Sequence, residues 1–211
     1  MAYRRTNFTE ARKEARKQSF LEAAKRLFGQ HGYHAATVPR IVAEAGSSVG
    51  AFYLYFRNKE DVFAAVLEDL GRNLAEVLDE AKARRPAGVP GFDCGMEALF
   101  LHLAAHPREA RILIVESSGL SPRLEQVRRS LLHGHVDMVL QTLVSEPENY
   151  ETTDAVIAAQ CLVGGVLEAI TCWLEQDEAT RRPAVEVARA VAGFNWRAVR
   201  RLRPSDAQLP G

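Results

Sequence analysis

Residues 37–56 read TVPRIVAEAGSSVGAFYLYF, and the way this stretch breaks into helices decides the fold. Thr37 is an N-cap residue and Pro39 stands in a first turn, where its missing N–H costs nothing. Val38, Ile41, Val42 and Ala45 then share one face of a short helix that stops at Gly46. Ser47 or Ser48 caps the next helix, VGAFYLYF. Residues 46–50, GSSVG, also satisfy the hydrolase pattern G-x-S-x-G, which requires a strand before the serine and a helix after it. No strand-like alternation precedes Ser48, so the serine is expected to cap a helix and not to act as a nucleophile. The product is two short helices joined by a glycine turn, the helix-turn-helix arrangement that can place its second helix in a DNA major groove.

The flanks extend the same pattern. Upstream, Phe20, Ala24, Leu27, Phe28 and His31 fall at i, i+4, i+7, i+8 and i+11 of an amphipathic helix that Gly32 ends. Downstream, Asn58 caps a long helix with Glu60 and Asp61 in its first turn. Phe52 and Phe56 are expected in the core of this head. Residues 1–60 hold 11 Lys and Arg against 5 Asp and Glu, a net +6, whereas residues 61–211 hold 16 against 22, a net −6. A basic segment followed by an acidic one favours a polyanionic partner for the first.

GYHAATVPRIVAEAGSSVGAFYLYFRNKEDVF, residues 32–63, resembles the DNA-binding signature of the TetR/AcrR regulators: a glycine-aromatic pair after the first helix, an A-G turn, a Y-x-Y-F pattern and N-K-E-D at the start of the fourth helix. The resemblance implies an all-α homodimer, with a three-helix helix-turn-helix head over 1–60 and an antiparallel helical bundle over 61–211 that binds an effector and dimerises. It places Val49, Gly50, Ala51 and Tyr53 toward bases, and Thr37, Ser48, Tyr55, Lys59 and the less certain Arg40 toward phosphates. Few of these side chains can make bidentate base contacts, so DNA shape is expected to contribute to recognition. Arg4 and Arg5 belong to a basic arm that either contacts DNA or is simply solvated. A palindromic operator and a small, largely apolar effector are the expected partners. The net −6 of the body weighs against a highly anionic effector such as an acyl-CoA, unless Arg108 and Arg111 reverse it locally.

Beyond residue 65 the signals weaken. The stretch from Ala83 to Gly95, rich in proline and glycine, separates the fourth helix from a fifth over about 92–105, and further helices are expected in PREARILIVESS, in SPRLEQVRRSLLHGHVDMVLQTLVSE, in TTDAVIAAQCLVGGVLEAITCWLEQ and in RPAVEVARAVAGFNWRAVRRLR. From the resemblance, the effector would be lined by Leu70 and Leu74, by Phe100 and Leu103, by Val115, Met138 and Trp173, with His102, Arg111, Glu116 and His135 as polar groups. Gly164 and Gly165 inside a helix, and the stripe Ala188, Val191, Asn195 and Val199, are expected at the dimer interface. The apolar run from Ala155 carries Gln160 and Glu168 and falls short of the roughly 20 apolar residues of a span, so it is expected to be a buried helix. No apolar leader follows Arg4 and Arg5, which points to a cytoplasmic protein. Cys94, Cys161 and Cys172 form no C-x-x-C pair, and His102 and His106 lack a third ligand, so no metal or cofactor is expected. Two other classes stay open: a helical ligand-binding or scaffold protein without operator binding, and an enzyme using Ser48 or the body histidines.

Overall fold

A computed structural model describes residues 2–84, 91–145 and 152–201, with side chains described for 10–84, 94–143 and 155–199. The described elements are helical throughout: α1 (Ala2–Ala35), α2 (Val38–Glu44), α3 (Val49–Tyr53), α4 (Lys59–Ala83), α5 (Gly91–Ala105), α6 (Pro107–Arg111) running into a π-helical turn (Ile112–Glu116), α7 (Pro122–Ser145), α8 (Thr152–Glu175) and α9 (Ala184–Arg201). Residues 85–90 of the expected break between α4 and α5 lie outside the described residues, as do the side chains of Arg4 and Arg5.

Local signals set the head. Helix α1 is broken at Gly32, whose φ of 76° and ψ of 168° are open essentially to glycine alone. Ser48 caps α3 by accepting the Ala51 N–H at 3.2 Å, and Asn58 caps α4 by accepting the Asp61 N–H at 2.8 Å. Thr37 holds the N-cap position of α2, but its side chain makes no capping bond. Phe20, Phe28, Phe52 and Phe63 are fully buried, with Phe20 edge-on to Phe52 at 5.5 Å and Phe28 edge-on to Phe63 at 4.8 Å. Such edge-to-face pairs each add about 0.5–1.5 kcal/mol beyond area burial. His31, expected on this buried stripe, is exposed: past Phe28 the chain is nearing the Gly32 break and leaves the core.

Helix α4 joins head to body. Its Val62, Phe63, Val66, Leu67 and Leu70 pack in the head core, and its Leu74 and Leu78 in the body core. Around it, α5 packs on α4 and α9, and α7 on α4 and α8. Trp173 donates its indole N–H to the Arg182 carbonyl at 2.8 Å, and Arg181 lies over its ring, which fixes the α8–α9 turn.

Three expectations about the body are corrected. PREARILIVESS is a short α-helix followed by a π-helical turn, not one helix. Helix α8 is not buried: Ala155–Glu175 is long and apolar enough to cross a membrane, yet only 33% of its apolar window is buried within the chain. In α9 the stripe turns the opposite way from an interface, because Ala188, Asn195 and Val199 are buried in the chain's own core and Val191 packs beside them.

Head and body are also tied by polar contacts. Glu60 accepts the Ser121 hydroxyl, and Asp61 pairs with Arg123 of α7 and, at 3.2 Å, with Arg57. Burial alone would raise the Asp61 pKa, but the Arg57 backbone N–H and the Arg123 and Arg57 guanidinium groups outweigh it and bring it from 3.8 to about 2. A depressed carboxylate pKa stabilises the fold fully above the unfolded value and loses that contribution as pH falls through the folded one. Urea denaturation between about pH 4 and pH 2 is therefore expected to show a steep loss of stability that Asp61→Asn flattens. An unchanged slope in the variant would remove Asp61 from the joint.

Candidate nucleic-acid interface and effector cavity

The exposed face of α3 carries Val49, Gly50, Tyr53 and Leu54, with Tyr53 55% and Leu54 80% exposed, while Phe52 and Phe56 are buried behind it. A Cβ on Gly50 would meet no heavy atom within 4 Å, so at that point the helix backbone is open to close approach. Sequence reasoning passed over Leu54. Its signal is its position next to Tyr53 and four residues from Gly50, which puts it on the same face.

The remaining head residues differ in their freedom. Thr37, Arg40 and Ser48 are exposed; Arg40 donates to the Ala35 carbonyl at 3.2 Å. The Ser48 oxygen accepts the capping bond, which leaves its own O–H to donate elsewhere. Ala51 and Tyr55 are half-buried against the head core, Tyr55 beside Phe20. Lys59 donates to the Tyr33 carbonyl at 2.8 Å and the His34 carbonyl at 3.4 Å, and sits over the Tyr33 ring, 4.2 Å from its centroid. Burial lowers its pKa. It thus closes off the end of α1 as well as opening α4.

In the body, a cavity of about 190 Å³ is lined by α4, α5, the π-helical turn, α7, α8 and α9. Its walls are mainly apolar, including Leu67, Met96, Leu131, Val166 and Ile170, and Lys82 and Arg128 add two cationic groups. Arg128 is paired with Glu125 at 2.7 Å; Lys82, exposed, has no ion pair among the described residues. Of the residues expected at an effector site, Leu74, His135 and Met138 line this cavity. Leu70, His102 and Leu103 border instead a cleft of only about 10 Å³. Burial, then the neighbouring His106, lowers the pKa of His102, partly offset by Glu109.

The other expected lining residues lie elsewhere. Phe100 and Trp173 are buried against each other with centroids 5.7 Å apart, Arg111 is exposed, and Val115 packs on the body core. Glu116 accepts the Tyr33 N–H at 3.4 Å, and its carboxylate oxygen is 3.2 Å from where a Cβ on Gly32 would stand. It belongs to the head–body joint. Asn195, expected at a dimer interface, lines the cavity, and Gly71 was overlooked although a glycine in the middle of a helix is a visible signal: a Cβ there would stand 2.6 Å from Leu131 Cδ2.

Lys59 and Tyr53 should separate on substitution. Lys59→Met is expected to lower stability by about 1 kcal/mol, because it leaves the Tyr33 carbonyl without its donor. Tyr53→Ala, on the exposed face, is expected to stay within about 0.5 kcal/mol of the parent. Chemical denaturation of the two variants measures the difference; equal stability would mean that the Lys59 contacts contribute nothing to the head.

Residues 20–66 match the family model described as bacterial regulatory proteins, tetR family. The fatty acid metabolism regulator protein of Bacillus subtilis is 25% identical over 169 residues, 79% of this chain and 87% of that protein. The transcriptional repressor AcnR of Corynebacterium diphtheriae is 42% identical over 65 residues, 31% of this chain and 34% of that one. FadR of Bacillus subtilis, solved in complex with stearoyl-CoA, superposes with a TM-score of 0.72 at 23% identity, over 84% of this chain and 96% of its own. The matched residues include both helices of the turn and the start of α4, the segment that carries the exposed face of α3. Residues 20–66 thus carry the segment shared by the tetR family of bacterial regulatory proteins, and the chain as a whole has the fold of FadR.

Proposed function

We propose that residues 1–60 form the operator-reading head and residues 61–211 the effector-binding and dimerisation body of a cytoplasmic homodimer, and that the protein works by binding and not by catalysis. The observation that carries the DNA contact is the exposed face of α3, bare at Gly50 and flanked by Val49 and Tyr53, on a segment with net charge +6. Val49, Gly50, Ala51 and Tyr53 approach base edges, and Thr37, Arg40, Ser48, Tyr55 and the third N–H of Lys59 approach phosphates. Two such heads about 34–36 Å apart read a palindrome.

A second copy covers the open side of the body. Ile157, Gln160, Cys161, Gly164, Gly165 and Glu168 lie exposed along α8, and Phe194 of α9 is 65% exposed. A Cβ added at Gly164 or Gly165 would meet no heavy atom within 4 Å, so no described part of the chain requires glycine there, whereas a helix packed from outside would. Phe194, rather than the buried stripe Ala188, Val191, Asn195 and Val199, is the α9 contact. Phe194→Glu is expected to convert the dimer to monomer and to weaken operator binding with it, as read by light scattering and fluorescence anisotropy. A dimer of unchanged affinity would move the interface elsewhere.

The effector reading rests on the apolar cavity with Lys82 and Arg128, which fits a long acyl chain with an anionic head group such as an acyl-CoA. The complex of FadR with stearoyl-CoA supports the same class. Although the body carries net −6, the charges that matter are those beside the cavity; Arg108 and Arg111 do not line it. Occupancy acts on DNA only through a difference in affinity between the DNA-bound and released forms. A duplex selected from a random pool at about 150 mM salt, where non-specific binding is weakened, is expected to be palindromic and to be released by long-chain acyl-CoA. Val166→Trp, which fills the cavity, is expected to bind the same duplex and resist release. Release of the variant at the parent's effector concentration would place the effector outside the cavity.

A further inference from the structure

The polar groups of the cavity wall share a directional property. Ser117 donates its hydroxyl proton to the Leu113 carbonyl at 2.7 Å, and Thr142 donates to the Met138 carbonyl at 3.0 Å. His135 Nδ1 lies 2.8 Å from the Leu131 carbonyl, an atom that can only accept, so Nδ1 carries the ring proton. In the neutral ring Nε2 is then an acceptor. That nitrogen is buried and has no hydrogen-bond partner among the described residues. All three bonds run back to the carbonyl four residues earlier in the chain, which spends every donor and leaves only lone pairs on Ser117 Oγ, Thr142 Oγ1 and His135 Nε2, with Ser117 fully buried. Three of the four neutral polar side chains on the described wall therefore offer acceptors alone; the fourth, Asn195, offers both.

We propose that the cavity selects a largely apolar ligand that carries a hydrogen-bond donor, a hydroxyl or an N–H, along its body, and that His135 Nε2 is the acceptor that recognises it. The inference rests on the cavity being the effector site and adds the chemistry that site prefers. His135 Nε2 is already buried and unpaired, which is costly in a way that a hydrogen-bonded atom is not, and a saturated chain leaves that cost in place. A donor-bearing ligand removes that cost. Thr142 Oγ1, half-buried, is a second acceptor on the same wall.

The test compares a long-chain acyl-CoA with its counterparts hydroxylated at successive chain positions and with a chain interrupted by an amide, using tryptophan fluorescence or calorimetry for binding and release of the selected duplex for function. Wild-type protein is expected to bind at least one donor-bearing probe about tenfold more tightly than the plain chain, the effect of one net hydrogen bond. The hydroxyl and amide arms show which donor is used. His135→Leu is expected to abolish the ratio of donor-bearing to plain-chain affinity, whatever its effect on either affinity alone, and His135→Gln to retain part of that ratio by putting back an amide acceptor. Equal binding of plain and donor-bearing chains by the wild type, or a preference untouched by His135→Leu, overturns the inference and leaves the acyl effector standing. Failure of every probe to bind overturns both.

Discussion

Helix α4 packs Val62, Phe63, Val66 and Leu67 into the head and Leu74 and Leu78 into the body, so neither core can move far without tilting or bending one helix of 25 residues. The Lys25 ammonium, buried between Asp69 at 2.6 Å and Glu22 at 2.9 Å, pins α1 to the same helix. Burial by itself would lower the Lys25 pKa, but hydrogen bonds to Asp69 and Glu22 outweigh it and raise it, so the charge is retained at neutral pH. Removing one partner of such a pair would leave the other charge buried and uncompensated, which costs more than the intact pair contributes. The head is consequently fastened to α4 before the rest of the body is considered.

The second fastening is the π-helical turn. Its Ile112 is buried in the head core, its Glu116 accepts the Tyr33 N–H, and its Leu113 and Ile114 line the cavity. Five residues thus touch the cavity on one side and the broken end of α1 on the other. A π-helical turn widens the helix by one residue, which rotates the side chains that follow out of the register that a regular helix would give them. Both Lys59 and Glu116 act at that broken end, one on its carbonyls and one on its N–H.

The head was legible in the sequence because its determinants are local: caps at Ser48 and Asn58, stops at Gly32 and Gly46, and apolar residues at helical spacing. The fold class followed from the same signals. The body was legible only as a series of helices, because hydrophobic periodicity states that a face is covered and not by what. Ala188, Val191, Asn195 and Val199 made a stripe equally suited to a partner or to the chain's own core, and the core has it. Gly164 and Gly165 drew notice by being in a helix, and in the structure they do lie on an open face. Glu116 illustrates the remaining gap: a carboxylate in an apolar run looks like a polar group in a pocket, but its partner is 83 residues away. Contacts at that separation depend on packing angles between helices that no local pattern encodes.

A cavity so placed has an energetic consequence for signalling. Moving an equilibrium from 1:99 to 99:1 requires about 10⁴-fold tighter binding to one form, so most of the ligand's contacts must differ between the two forms. Contacts with α4, with the π-helical turn and with α7, where Leu67, Leu113 and Leu131 line the cavity and also pack against the head core, are the ones that change when the head shifts. His135 is one helical turn from Leu131 and bonded to its carbonyl. A ligand that engages Nε2 therefore holds α7 at the point where it supports the head, which makes the polar contact a determinant of release as well as of affinity.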